Sequence, residues 1–133
     1  MNPELEKKNH IKLDIKIEEE LLEMSTEEAK ELEIRSNLDE LITKAYYTLG
    51  LITFLTTGED ESRAWTIKKD STAPVAGSAI HTDFLEKFIR AEVIQWDKLL
   101  EIGSWSKARE TGKLRLEGKE YVVQDGDVIE FKI

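Results

Sequence analysis

Cysteine is absent from the 133 residues, which excludes disulfides, thiol nucleophiles and the usual zinc sites. Two histidines, His10 and His81, leave little for a histidine-rich metal centre. No apolar run approaches the roughly 20 residues that a membrane span requires. The start, Met1-Asn2-Pro3-Glu4-Leu5-Glu6, has neither the basic region nor the apolar region of a secretory signal. A cytoplasmic protein with no membrane partner is therefore expected. A basic excess is missing too: 19 Lys and Arg stand against 28 Asp and Glu, for a net charge of −9. That balance argues against general coating of nucleic acid but leaves room for a local basic patch. The length fits one ordinary domain, or a small one with an appendage, and excludes a large multidomain enzyme.

Familiar chemical signatures are also missing. Gly103 to Gly112-Lys113 superficially resembles a phosphate-binding G-x-x-x-x-G-K-[ST] loop, but the glycines lie nine positions apart instead of five and Leu114 follows the lysine. No G-x-G-x-x-G, G-x-S-x-G, H-E-x-x-H or calcium-loop pattern occurs. Asp125-Gly126-Asp127 offers two carboxylates, too few for a cation, and Asp-Gly is common hairpin chemistry. His81-Thr82-Asp83 has no nucleophile beside it, so a local cap is the better reading.

What is present divides unevenly. Residues 1–44 hold 7 Lys or Arg against 13 Asp or Glu, a balance of −6, and residues 45–133 hold 12 against 15, a balance of −3. Ile11, Leu13, Ile15 and Ile17 alternate with Lys12, Asp14 and Lys16, the period of a strand with one buried face. Residues 18–24 read as helical, Ser25-Thr26-Glu27-Glu28 as a capping box, and 37–49 as an amphipathic helix that starts on a second such signal and ends at Gly50. Beyond Gly50 the patterns predict a hairpin over 51–57 and 63–68, a helical connection over 74–88 and a strand over 89–96. A short helix follows over 97–102, capped by Asp97, then a helical turn over 104–111, a strand from 114 that a tight turn at Gly118 interrupts before Tyr121 and Val123 continue it, and a last strand over 128–133. A helix crossing a mixed sheet of four or five strands is a β-grasp, ubiquitin-like arrangement, an α+β fold. The 11–17 strand is left without partners, so it is expected to repack, stay disordered or pair with a second copy in a homodimer.

One charge run stands out. Lys107, Arg109, Lys113, Arg115 and Lys119 face only Glu110 and Glu117, a local excess of +3. The plain reading is a solvated surface. The functional one is contact with an RNA backbone, with Arg90 and His81 in the same half and Trp105 available for stacking. A protein-interaction adaptor using the sheet, without nucleic-acid contact, is the alternative.

The residues also carry a family resemblance. Arg63-Ala64-Trp65-Thr66-Ile67, Thr72-Ala73-Pro74, Ile80-His81-Thr82-Asp83-Phe84, Phe88-Ile89-Arg90-Ala91-Glu92 and the run from Glu117 to Asp127, in this order, resemble the C-terminal TGS domain of the YchF family. These are Obg-like ATPases, translation-associated P-loop proteins. The resemblance implies a β-grasp TGS domain over residues 49–133 and, over 1–48, a remnant of the C-terminal end of the nucleotide (G) domain. There Lys16 matches the lysine of a base-contacting motif and is the one nucleotide-binding candidate, while Asp14 replaces the motif's serine. Family members hydrolyse ATP in preference to GTP, with magnesium, and associate with ribosomes. The P-loop and switch segments would lie before residue 1. The expectation for this chain is thus no enzyme activity and no cofactor, with a ribosome, ribosomal RNA or a translation factor as partner.

Overall fold

The computed structural model describes residues 11–34, 36–58 and 61–133, so His10 and the Glu59-Asp60 part of the expected hairpin turn lie outside the described residues. The chain divides into two compact units between Leu49 and Gly50.

The first unit is helical: α1 (Ile15–Glu23), α2 (Thr26–Glu31) and α3 (Leu38–Leu49). The strand expected at 11–17 does not form, and the homodimer edge built on it goes with it. The competing local signal is Asp14, whose carboxylate accepts from the backbone N–H of Lys16 (3.1 Å) and Ile17 (3.4 Å) and so caps α1. Those amides would otherwise be orphans of a helix start. A strand here would have needed a neighbour to satisfy its backbone. The Ser25–Glu28 capping box is present in both directions. Its hydrogen bonds hold the exposed Glu28 carboxyl below its usual range, the Ser25 backbone N–H first among them. The start of α3 has a partner from far along the chain: Glu18 accepts from the Ser36 hydroxyl (2.6 Å) and the Asn37 backbone N–H (2.8 Å). Gly50, at φ +62°, lets the chain leave α3.

The second unit runs β1 (Leu51–Thr57), β2 (Ser62–Lys68), α4 (Ala73–Ser78), α5 (Asp83–Glu86), β3 (Arg90–Gln95), α6 (Trp96–Ile102), α7 (Trp105–Glu110), β4 (Arg115–Glu117) and β5 (Asp127–Lys132). The five strands lie in the order β2-β1-β5-β3-β4. β1 and β5 are parallel and the other pairs antiparallel. This mixed sheet with a crossing helical connection is the expected β-grasp, an α+β fold. Three details differ from expectation. The helical connection over 74–88 is two short helices, α4 and α5. α6 begins one residue early, so Asp97 sits in its first turn and accepts from the Lys98 N–H (2.8 Å) instead of capping it. Tyr121 and Val123 do not extend β4; their segment meets the chain beside α4 through Thr72 and Val122.

Alternation along the strands sends side chains to both faces, and both are covered. One face carries Phe54, Ile67, Val93 and Ile129 against Ala73, Ala76, Phe88 and Val123. Phe131 joins this core, with ring centroids 5.9 Å from Phe54, 5.6 Å from Phe84 and 6.4 Å from Phe88. Gly77 permits the approach of α4, because a Cβ there would lie 2.7 Å from Phe84 Cβ. The other face carries Ile94 and Val128 under Ala108, Leu99, Ile102 and Trp105. Each fully buried Val, Ile or Phe contributes about 1.5–3 kcal/mol, whereas an exposed ion pair such as Lys87–Asp83 (3.2 Å) contributes at most about 1 kcal/mol. The two cores hold the sheet.

One buried charge ties the strands together at β5. Asp127 is fully buried. Its carboxylate accepts from the Tyr121 hydroxyl (2.6 Å), the Gln124 N–H (2.9 Å) and the Gln95 amide (2.6 Å), with Arg115 Nη2 3.5 Å away. A buried charge persists only when its lone pairs are filled in this way. The preceding turn closes by Asp127 N–H to Gln124 O (3.1 Å), and Gly126 takes the φ of +81° that the turn requires. Asp125 adds a bond from the Thr53 N–H (2.8 Å). The Asp-Gly turn therefore leads an irregular segment into β5 and does not join two strands of a hairpin.

Two outcomes follow from this cluster. Asp127→Ala leaves buried donors without an acceptor and should lower unfolding free energy by about 3 kcal/mol in urea denaturation; a loss under about 1 kcal/mol would contradict the assignment. The Tyr121 hydroxyl is pushed up to about 12, by burial first and then by its bond to the Asp127 carboxylate. Its ordinary value is about 10. A raised folded value means that the Tyr121 contribution is complete below the ordinary value and is lost as pH climbs to about 12. Spectrophotometric titration should show one of the three tyrosines ionising in this late step, and Tyr121→Phe should remove it.

Candidate nucleic-acid interface

The five-cation run does not fold into one patch. Arg109, on α7, crosses to the sheet, where its Nη2 lies 2.6 Å from Glu92 Oε2 and 2.8 Å from Glu130 Oε2. Trp105 Nε1 donates to the same Glu130 oxygen (2.9 Å), and Lys132 pairs with the other one. Burial pushes the Glu130 carboxyl up, but Lys132, Trp105 and Arg109 together outweigh that and hold it below its usual value. The Glu92 hydrogen bond in turn raises Arg109. Arg109 and Trp105 thus fasten α7 to the sheet, which leaves the Trp105 indole unsuited to the stacking expected of it.

Arg115 lies on β4, opposite Val93. It reaches Asp127, Glu117 Oε1 (3.7 Å) and the Tyr121 hydroxyl (3.1 Å), and its guanidinium stands 5.5 Å from the Tyr121 ring centroid. Lys107, Lys113 and Lys119 are exposed, without carboxylate partners among the described residues. Arg90 is exposed at the start of β3. His81 is exposed and accepts from the Asp83 N–H (3.1 Å), a local cap. Lys16 is exposed in the first turn of α1, and Asp14 is occupied as its N-cap.

The structure brings two of these residues together with one that local sequence did not single out. Lys113 and Arg115 line a groove of about 490 Å³ together with Lys98 from α6. Gln95 and Gln124 add two amides, Glu101 one carboxylate, and Ile94 and Ile102 apolar lining. The size is within the roughly 300–1,000 Å³ of small-molecule sites. Local folding explains the meeting. α6 ends at Gly103, at φ +95°, and α7 at Gly112, at φ +66°. The Lys113 N–H then returns to Ala108 O (2.9 Å). The two-helix insertion between β3 and β4 thereby carries residue 98 to residue 113. No local signal links these lysines, which stand fifteen positions apart. Among the described residues, no group of His, Asp or Glu is arranged to hold a metal ion. No helix of the described chain is long and apolar enough to cross a membrane.

Comparison with known proteins agrees with this architecture. The YchF-GTPase C-terminal family, whose description reads "Protein of unknown function (DUF933)", matches residues 51–133. The "Ribosome-binding ATPase YchF" of Bacillus subtilis (strain 168) is 52% identical over 122 residues, 88% of this chain and 33% of that protein. "Obg-like ATPase 1" of Caenorhabditis elegans is 47% identical over 116 residues, 84% of this chain and 29% of that protein. The solved structure of the Schizosaccharomyces pombe YchF GTPase superposes with a TM-score of 0.83 at 37% identity, covering 90% of this chain and 33% of that one. The chain spans about a third of the length of the relatives it matches. From the matched C-terminal domain and the β-grasp that carries it, the chain belongs to the YchF family of Obg-like ATPases.

Proposed function

We propose that this chain is a ribosome- and RNA-contacting portion of a YchF-type ATPase, without nucleotide hydrolysis of its own. One observation carries the reading: in a chain of net charge −9, Lys98 and Lys113 share one groove with the carboxylate of Glu101, beside Arg115, which Asp127 and Glu117 already hold. Cations concentrated against the overall charge suit a polyanion, and phosphates are what such side chains position. The name "ribosome-binding ATPase" borne by the Bacillus subtilis relative supports a ribosome as the partner, and so a cytoplasmic setting. Lys98 and Lys113 make the contact, with Lys107, Lys119 and Arg90 as outlying cations. Arg109 and Arg115 act mainly through the carboxylates that hold them.

Nucleotide chemistry belongs, in this reading, to a G domain of the full-length protein. That domain binds ATP or GTP with magnesium, and residues 1–48 form its C-terminal end, with Lys16 on the nucleotide side. The 133-residue sequence contains no phosphate-binding loop that could substitute for it. The isolated chain should release no phosphate from ATP or GTP in a colorimetric assay, and reproducible release from a pure sample would contradict the reading.

Ribosome cosedimentation tests the contact. Binding should weaken steeply with salt, and Lys98→Glu with Lys113→Glu should reduce it at least tenfold. Losing two phosphate contacts should also flatten the slope of log K against log salt by about 1.4–1.8. Salt-insensitive binding, unaffected by the double reversal, would favour an adaptor that meets protein through its sheet.

A further inference from the structure

We propose that the groove receives single-stranded RNA one nucleotide at a time, with Trp96 as the stacking platform beside the Lys98–Lys113 phosphate site. The inference rests on the RNA-contact reading above and goes further by naming the form of RNA and the aromatic residue that selects it.

The three indoles of the chain have different fates. Trp105 is packed into the core beneath α7 with its N–H on Glu130. Trp65 donates to Thr56 Oγ1 (3.0 Å), and the Arg63 guanidinium covers its ring at 4.6 Å from the centroid. Trp96 is 50% exposed, and its N–H has no acceptor among the described residues. A large aromatic residue held half in solvent, at the first position of α6, contributes little to the core that α6 joins through Leu99 and Ile102.

Trp96 does not line the groove itself but directly follows Gln95, which does. A Cβ at Gly126 would lie 2.6 Å from Trp96 Cδ1 and 3.2 Å from Gln95 Oε1, so the indole edge and the Gln95 amide oxygen both stand close against the bare backbone of that turn. The two groove amides are oriented from within. Gln95 gives its NH2 to Asp127 (2.6 Å) and Gln124 gives its own to Val122 O (2.9 Å). Each keeps a carbonyl oxygen as an uncommitted acceptor. Two cations, two acceptors and an exposed indole form the set that single-stranded RNA uses: phosphate, base edge and base face. A duplex offers only the phosphates here, because its base faces are stacked and its pairing edges are occupied.

The test uses the full chain with a short oligouridylate, whose unpaired bases carry an N–H donor, beside an RNA duplex of equal length. Affinity is read by fluorescence anisotropy. The single strand should bind more tightly than the duplex. Trp96→Ala should weaken single-strand binding about tenfold or more, the size of one lost base stack. Trp96→Phe should stay within about threefold of the parent chain, which separates stacking from any loss of folding in the alanine variant. Equal affinity for strand and duplex, or equal affinity of the parent chain and Trp96→Ala, overturns the inference. Either result leaves the ribosome reading standing if the Lys98/Lys113 reversal still reduces cosedimentation at least tenfold.

Discussion

The Asp127 carboxylate is the constraint on which the rest of the second unit depends. A buried charge tolerates few arrangements, and this one draws donors from the end of β3, the start of β4 and the segment that precedes β5. Three of the residues it engages, Gln95, Arg115 and Gln124, also line the groove. The interaction that sets strand geometry therefore also sets the back wall of the candidate site. Its hydrogen bonds point inward and leave lysines and carbonyl oxygens for a ligand. Apolar burial provides the bulk of the stability on both faces of the sheet, but it does not specify direction. The carboxylate does, because each of its partners has one place to stand.

The α6–α7 insertion is the second half of the design. It closes the sheet face that β-strand alternation would otherwise expose, through Leu99, Ile102, Trp105 and Ala108. Arg109 fastens it, reaching Glu92 and Glu130 on two neighbouring strands. Cations that read in sequence as a run thus divide between work inside the fold and work at its surface. Arg109 and Arg115 are held by carboxylates, whereas Lys107, Lys113 and Lys119 remain in solvent. That division gives a strongly acidic chain one groove of opposite character.

Much of the fold was legible because short-range physics decides it. The Ser25–Glu28 capping box, the Gly50 stop and the last strand's placing of Ile129 and Phe131 on one buried face each predict what is observed, whereas Ile133 lies beyond the strand and is exposed. Segment 11–17 misled because alternating apolar residues count as a strand only if another strand is available to pair; Asp14 offered a helix cap at once. The site was less legible for a related reason. Lys113 and Arg115 could be nominated from local charge, but Lys98 and Trp96 sit on a different element and join them only through the Gly103 and Gly112 reversals. Trp105, nominated for stacking beside the basic run, is partly buried with its ring packed against the core, since the position following Ser104 on α7 faces the sheet. Fold-level pattern shows which residues are charged, and only the packed structure shows which charges are already neutralised.

The central claim is that the surface backed by Asp127 is the surface that meets RNA. A ¹H–¹⁵N correlation spectrum recorded during oligouridylate titration tests it directly, residue by residue. The account predicts shifts concentrated at the Trp96 indole, the Gln95 and Gln124 side-chain amides and the backbone of Lys98 and Lys113, with the β1–β2 hairpin around Arg63 and Trp65 unchanged. Shifts centred on that hairpin, or a spectrum unaltered at saturating RNA, would contradict it.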